Sequence, residues 1–226
     1  MTSGAFIAIE GIDGAGVTTQ SRRLQQRLEE KLSLGAGAAN GSRTHRTKEP
    51  TDGPAGGPLR LALAERLDLD PRTLALLFAA DRSDHVERTI EPLLEAGTVV
   101  ITDRYELSSY AYQLEGVDGD LEWLRRINEK SVSPDLTIVL DVDVDISHRR
   151  RRERVTDELF ETDETLETVR DTYLQVADEL QSAGHAVEIV DAGGDIDNVA
   201  DRVFECVAGC LESKGIVSSS AELIGE

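Results

Sequence analysis

A glycine-rich segment near the start of the chain has the form of a phosphate-binding loop. Glu10–Gln20 reads Glu-Gly-Ile-Asp-Gly-Ala-Gly-Val-Thr-Thr-Gln. It follows the apolar run Ala5–Ile9 and precedes residues with helical spacing, which gives the order strand, loop and helix that such a loop requires. The amides of the loop and the positive end of the helix then face one anion. We therefore predict a site for the phosphates of a nucleotide.

The loop departs from the pattern G-x-x-x-x-G-K-[ST] at one position, because Val17 stands where the pattern has lysine. Valine offers neither a charge nor a hydrogen bond. Losing one preorganised donor costs roughly 3–4 kcal/mol of transition-state stabilisation, or about 10²–10³ in rate. The sequence thus predicts nucleotide binding and leaves three options for catalysis: impaired transfer, no transfer, or compensation by Arg150 or Arg152 reaching inward.

A carboxylate and an arginine end the clearest predicted strand, Thr98–Thr102, which is apolar and β-branched. Asp103 at that strand end is suited to organise Mg²⁺ and its water shell. Arg104 beside it offers bidentate capture of a phosphate. An ordinary ion pair at a strand end is the alternative interpretation.

An aromatic residue and an arginine lie four residues apart in the predicted helix Pro71–Leu94. Phe78 and Arg82 therefore share one face of that helix. A flat ring beside a planar guanidinium suits a nucleobase, whereas the simpler interpretation is a core phenylalanine beside a surface arginine.

Residues 149–154 hold five arginines in an otherwise acidic protein. Such a run is often a solvated helix face paired with neighbouring acids. Its concentration in so short a segment favours a site for a polyphosphate.

The composition restricts the partners of the chain. Its 226 residues carry a net charge of −20, with 44 acidic residues against 24 basic ones, so nucleic acid and anionic membranes are disfavoured as partners.

We find no run of transmembrane length and no secretory signal, which predicts a cytoplasmic protein. The acid excess suggests a high-salt habitat, and a folded, active protein in low-salt buffer would contradict that hypothesis. Cys206 and Cys210 are expected to be reduced core residues.

Five predicted strands alternate with helical segments along the chain; four are short apolar runs, and the second is polar. They are Ala5–Ile9, Ser42–Lys48, Thr98–Thr102, Leu136–Leu140 and Ala186–Val190. This alternation predicts an α/β fold in which a parallel sheet is covered on both faces. We expect one domain over residues 1–214 and a frayed tail over residues 215–226.

Taken together, the motifs resemble those of thymidylate kinases, which phosphorylate dTMP with ATP. The resemblance covers about Phe6 to Val207 and rests on ordered blocks: Glu10–Gly16, Thr47–Pro50, Phe78–Arg82, Asp103–Tyr105, Ser109–Gln113 and the arginine run after Asp141. It implies the P-loop nucleoside monophosphate kinase fold, with a central five-stranded parallel sheet, helices on both faces and an arginine-rich lid at about 148–161. It also implies a homodimer.

The resemblance further implies roles for the donor side. ATP would be bound by the loop and by one lid arginine: Gly11, Ile12, Asp13, Gly14, Ala15, Gly16, Val17, Thr18, Thr19 and Arg149. Mg²⁺ would accompany ATP, held by Thr18 and Asp103. The residues implied in catalysis are Asp103, Arg104, Glu49, Arg150 and Arg152.

On the acceptor side the resemblance implies a dTMP pocket formed by Asp13, Phe78, Arg82, Arg104, Ser109, Tyr112 and Gln113. Phe78 would stack on thymine, Arg82 would bind the edge of the base, and Arg104 would hold the acceptor phosphate. Two alternatives remain open: a catalytically silent nucleotide-binding regulator, and a kinase for another pyrimidine monophosphate.

One loop position also bears on the type of enzyme. Gly14 stands where one branch of the family carries a basic residue. The other branch places its catalytic arginines in the lid, and the run Arg149–Arg154 fits that second pattern.

Overall fold

A single parallel sheet organises the molecule. The computed structural model describes residues 4–34, 44–152 and 163–224. The strands in these ranges are β1 (Ala5–Gly11), β2 (Thr44–Lys48), β3 (Val99–Asp103), β4 (Leu136–Asp141) and β5 (Val187–Asp191). Their order is β2-β3-β1-β4-β5, and every neighbouring pair is parallel. The predicted five-stranded parallel sheet is confirmed.

Position in the sheet explains the character of each strand. All residues of β1 and β3, which lie inside the sheet, are buried, and their sequences are nearly continuously apolar. The edge strand β2 buries only Thr44, so its polar sequence, Thr-His-Arg-Thr-Lys, is compatible with its place. β5, at the other edge, buries Val187 and Val190 and exposes the residues between them.

Helices connect the strands and cover both faces of the sheet. They are α1 (Val17–Leu34), α2 (Gly56–Leu63), α3 (Pro71–His85), α4 (Glu91–Glu95), α5 (Glu106–Gln113), α6 (Leu121–Ile127), α7 (Val144–Arg152), α8 (Asp163–Ser182), α9 (Ile196–Ser213) and α10 (Ser220–Ile224). A π-helical stretch, Val86–Ile90, joins α3 to α4, so the long helix predicted over Pro71–Leu94 is one nearly continuous segment. Among the helices of the described ranges, none is long and apolar enough to cross a bilayer.

The C-terminal segment differs from the prediction of a frayed tail. Residues Ser220–Ile224 form α10, which packs against α9. Leu223 is only 5% exposed and belongs to the main hydrophobic core, with Ile216 and Val217 packed beside that core. The apolar residues among the serines anchor this segment, which the sequence reading overlooked.

The two cysteines of α9 are free thiols that pack against the main core. Burial raises the pKa of the Cys210 thiol to about 11, and the nearby Asp135 carboxylate acts in the same direction. Burial also raises the pKa of Cys206.

We therefore expect alkylation of Cys210 to rise about tenfold per pH unit between about pH 8 and pH 10, because only the thiolate reacts. Mass spectrometry of iodoacetamide-treated protein measures this, with Cys206→Ser and Cys210→Ser variants assigning each thiol. A Cys210 rate that levels off near about pH 8.5, the ordinary thiol value, would contradict the expectation.

Candidate active site

The loop between β1 and α1 forms the centre of the site. Gly14 has a φ of +85°, and the amide of Ala15 donates to the Ile12 carbonyl at 3.0 Å, which closes the turn. Thr18 is exposed in the first turn of α1. The first amides of a helix have no acceptor within the helix, so those of α1 are available to an anion.

Val17 faces the protein interior. It is the first residue of α1, is 5% exposed, and belongs to the main core together with Ile12 and Ala15. The structure thus gives Val17 a packing role where the motif has a charged side chain.

Helix α7 lies directly against the loop. The buried Ser147 hydroxyl donates to the Asp13 carbonyl. A Cβ atom placed on Gly14 would lie 2.7 Å from both the carbonyl oxygen and the Oγ of Ser147. Position 14 therefore has no room for a side chain while α7 is docked. Sequence reasoning missed Ser147, because nothing in the local pattern links it to a loop more than 130 residues earlier.

Arg104 joins the loop to α8. It has a left-handed φ of +68°, which is unusual for a residue with a side chain, and its amide donates to the Ile9 carbonyl at 2.9 Å. Its Nη1 donates to the Gly11 carbonyl at 2.8 Å and to the Tyr173 hydroxyl at 3.2 Å, while Nη2 pairs with the Asp13 carboxylate. The backbone geometry thus places this guanidinium beside the loop between β1 and α1.

Tyr112 supports the same arrangement. Its hydroxyl accepts a hydrogen bond from the Asp13 amide at 3.0 Å. The Arg104 guanidinium carbon lies 5.2 Å from the centre of its ring. The predicted pocket residue is therefore adjacent to both the loop and the arginine.

A buried carboxylate, Glu10, organises the turn after β3. It is 0% exposed and accepts hydrogen bonds from the Tyr105 amide at 2.9 Å and the Ser108 hydroxyl at 2.5 Å. The Tyr173 hydroxyl lies 3.3 Å from its Oε2. Burial raises the pKa of Glu10, and the Ser108 hydrogen bond and the Arg104 charge oppose that rise. Glu10 stands inside the loop motif, so its role in holding a distant turn was not predicted.

A second buried network surrounds Arg82, which is 1% exposed. Its Nε lies 2.9 Å and its Nη2 2.8 Å from Glu49 Oε2, and the same guanidinium donates to Asn128 Oδ1 at 2.5 Å and to Ser109 Oγ at 3.1 Å. His85 Nδ1 donates to Glu49 Oε1 at 3.0 Å. The structure thus brings Glu49, which the resemblance implied in catalysis, together with Arg82 and Ser109 of the implied dTMP pocket. It adds His85 and Asn128, which sequence reasoning missed.

The geometry leaves two groups of this pocket available to a flat polar ligand. Gln113 donates to Ser109 at 3.4 Å, while its carbonyl oxygen is buried and has no partner among the described residues. Phe78 is partly exposed and belongs to neither of the core clusters formed by the described residues. An aromatic face and an unpaired acceptor beside a buried arginine match what a pyrimidine presents.

Comparison with known proteins shows the family of this chain. Residues 9–203 match the family profile described as thymidylate kinase. The chain belongs to the thymidylate kinase family. A probable thymidylate kinase of Thermococcus kodakarensis is 37% identical over 91% of this chain and 98% of its own length. One from Pyrobaculum aerophilum is 38% identical over 93% of this chain and 100% of its own.

A solved structure shows the same fold. The thymidylate kinase of Candida albicans superposes with a TM-score of 0.77 at 27% identity, covering 92% of each chain. The P-loop nucleoside monophosphate kinase fold expected for a thymidylate kinase is therefore confirmed.

Asp103, a predicted metal ligand, is the last residue of β3. It is 7% exposed, and in the sheet register it lies opposite Ile9 of β1 and Lys48 of β2. Arg46 Nη1 is 4.0 Å from its Oδ2. The carboxylate therefore lies at the carboxyl-terminal ends of the strands, where the phosphate loop also lies.

The arginines of α7 diverge in the structure. Arg149 and Arg152 are exposed, whereas Arg150 Nη2 donates to the Gly194 carbonyl at 3.1 Å. Arg151 is buried. Of the predicted lid at about 148–161, residues 153–161 lie outside the described residues. Within the described part, Arg150 contacts the turn after β5, and Arg151 is the arginine of the run that faces inward.

Proposed function

We propose that this chain transfers the γ-phosphoryl group of ATP to dTMP and forms dTDP and ADP. One observation carries the proposal: Arg104 contacts the phosphate loop through Gly11 and Asp13. This contact would place an acceptor phosphate held by Arg104 next to a donor phosphate held by the loop. The relatives named above support the proposal by their descriptions as probable thymidylate kinases.

The step itself requires little covalent help from the protein. An oxygen of the dTMP phosphate attacks the γ-phosphorus, the bond from that phosphorus to the β–γ bridging oxygen breaks, and ADP leaves with the electron pair. The attacking oxygen is already deprotonated, so no general base is needed. The residues act by holding both phosphates in line and by neutralising charge, and this is the role that we propose for Arg104, Arg150 and Arg152.

The residues near the loop fit a magnesium ion bound with ATP. Mg²⁺ prefers oxygen ligands and keeps several waters and phosphate oxygens, so one hydroxyl and one carboxylate suffice from the protein. Thr18 is exposed at the first turn of α1, and Asp103 ends the strand next to β1. We assign these two residues to the ion, which would neutralise phosphate charge when bound. Glu49 is held by Arg82 and His85, so we assign it the positioning of Arg82.

The acceptor pocket favours a pyrimidine. Phe78 supplies a partly exposed ring, and Gln113 supplies a carbonyl that has no partner among the described residues. Arg82 supplies a guanidinium fixed by Glu49, Ser109 and Asn128. Because most of the Arg82 donors already have partners, we propose that the base edge shares this guanidinium with Ser109. Tyr112 and Asp13 would line the sugar side of the pocket.

The same proposal places the enzyme in the cytoplasm, where ATP is available.

Single-turnover transfer from labelled ATP to dTMP, with dUMP in parallel and Mg²⁺ present at low and high KCl, tests the proposal. We expect dTDP and ADP in equal amounts and a faster reaction with dTMP than with dUMP. Binding of ATP without any transfer would instead support the silent regulator. Faster transfer to dUMP would assign the chain to another pyrimidine monophosphate.

We further propose that the enzyme is a homodimer, as thymidylate kinases typically are. Four large leucines of α2, α3 and the connection between them are exposed by 36–50%: Leu61, Leu63, Leu67 and Leu76. Packing these side chains against a second copy would remove them from water.

A Leu76→Glu variant should therefore behave as a monomer in light scattering coupled to size exclusion, while the unchanged chain has the mass of a dimer. Ile189→Glu is the matched control, because Ile189 is 42% exposed on the edge strand β5 and should leave the dimer intact. A monomeric unchanged chain would contradict the proposal.

A further inference from the structure

Arg151 is a buried cation without a hydrogen-bond partner in the part of the chain that the structure describes. It is 9% exposed, and its Nε, Nη1 and Nη2 are all buried with no hydrogen-bond partner among the described residues. Burying a charged group without a counter-charge or hydrogen bonds is strongly unfavourable. Such a group is expected where a ligand brings the missing negative charge.

The position of Arg151 on α7 directs it toward the phosphate loop. Val144, Ser147 and Arg151 form the buried face of this helix. Ser147 contacts Asp13 and closes off Gly14. Side chains on a helix lean toward its N-terminus, so Arg151 covers the turn that contains Ser147 and thus the side of α7 that lies on the loop.

The other arginines of α7 have different surroundings. Arg149 and Arg152 are exposed, and Arg150 donates to the Gly194 carbonyl. Arg151 is therefore the member of this run whose whole guanidinium is both buried and uncommitted within the described residues.

We propose that Arg151 supplies to the donor phosphates the positive charge that Val17 does not supply. The inference rests on the proposed transfer reaction. Val17 is packed into the core at the start of α1, so this position cannot contribute a charge. A guanidinium coming from the opposite side, on α7, would bring the same charge and a planar fork suited to two phosphate oxygens. Arg151 is thus the replacement for the loop lysine, while Arg150 and Arg152 keep the more general role of neutralising phosphate charge.

Two measurements on Arg151→Met test the assignment: single-turnover transfer to dTMP, and thermal unfolding with and without ATP and Mg²⁺. We expect transfer to fall by about 10²–10³, the usual loss for one preorganised donor to developing charge. We expect the nucleotide-free melting temperature to be unchanged or raised, because an unpaired buried charge is removed. The rise in melting temperature caused by ATP should shrink.

Arg126→Met is the matched control. Arg126 is an exposed arginine on α6 whose ion pair with Glu122 spans 3.7 Å, and its loss should change neither measurement. When Val17→Lys is the only substitution, the transfer rate should rise no more than a few-fold, because Arg151 already provides the charge.

Three results would overturn the assignment. They are transfer by Arg151→Met close to that of the unchanged chain, a lowered nucleotide-free melting temperature in that variant, and a gain of about 10² or more from Val17→Lys. A chain that transfers nothing to dTMP would refute the proposed function. In that case the ATP-dependent shift in melting temperature still decides whether Arg151 binds the donor phosphates.

Discussion

Replacing Gly14 by alanine should lower both stability and phosphoryl transfer. Gly14 has a φ of +85°, and a side chain in that region costs about 1–2 kcal/mol. The added Cβ would also lie 2.7 Å from the Ser147 carbonyl oxygen, which forces the loop away from α7. Inserting an atom into such packing typically costs about 1–3 kcal/mol more. We expect the melting temperature to fall by roughly 5–15 °C.

The transfer rate of Gly14→Ala should fall by about 10², because a displacement of about 1 Å in a phosphate-binding loop is enough for such a loss. Gly119→Ala separates the two causes. Gly119 also has a positive φ, of +75°, but its Cβ would meet no atom within 4 Å. Gly119→Ala should lose only the stability that a side chain at positive φ costs, which is the smaller of the two losses. It should keep its transfer rate. Equal effects of the two substitutions would show that α7 does not restrict position 14.

The contact between α7 and the loop also explains why this chain fits the lid-arginine pattern. A basic side chain at position 14 would have to occupy the space of Ser147. With position 14 closed and Val17 turned into the core, the loop itself carries no cation. The positive charge around the donor phosphates must then come from elsewhere, and α7, which packs on the loop through Ser147, carries four successive arginines.

The sheet was predictable because its signals are local. Apolar, β-branched runs such as that of β3, alternating with helical spacing, are enough to indicate buried parallel strands. The second strand was predicted although its sequence is polar, and the edge position of β2 accounts for that composition. The C-terminal α10 was missed because serines hid the anchoring Leu223.

The supporting residues of the site could not be predicted because their partners are remote in sequence. Glu10 and Tyr173, whose side chains meet, are 163 positions apart. His85 and Asn128 hold Glu49 and Arg82 only after α3 and α6 have packed.

The arginine run illustrates a different limit of sequence reasoning. Four successive arginines have no period, so the sequence cannot show which of them faces inward. The buried Val144 and Ser147 fix the rotation of α7 and thereby single out Arg151.

Removing the Arg82 side chain should destabilise the protein severely and weaken dTMP binding. Arg82→Met would leave the Glu49 carboxylate, whose side chain is 3% exposed, without its guanidinium partner. Breaking a buried ion pair from one side costs about 3–5 kcal/mol, because the remaining carboxylate loses its permanent counter-charge and keeps only the hydrogen bond from His85. Chemical denaturation measures this loss. Calorimetry should show dTMP binding weakened by at least about tenfold, because one charge-assisted hydrogen bond to the base is lost. ATP binding should be unchanged.

A double-mutant cycle with Glu49→Gln distinguishes the ion pair from simple loss of packing. The double variant Glu49→Gln/Arg82→Met contains neither charge, so it should recover part of the stability lost by Arg82→Met alone. Arg88→Ala is the control for an exposed arginine, since its pair with Asp84 lies at the surface and its loss should change little. A double variant whose loss equals the two single losses combined would show that Arg82 and Glu49 are not energetically coupled. Equal weakening of ATP and dTMP would place Arg82 outside the acceptor pocket.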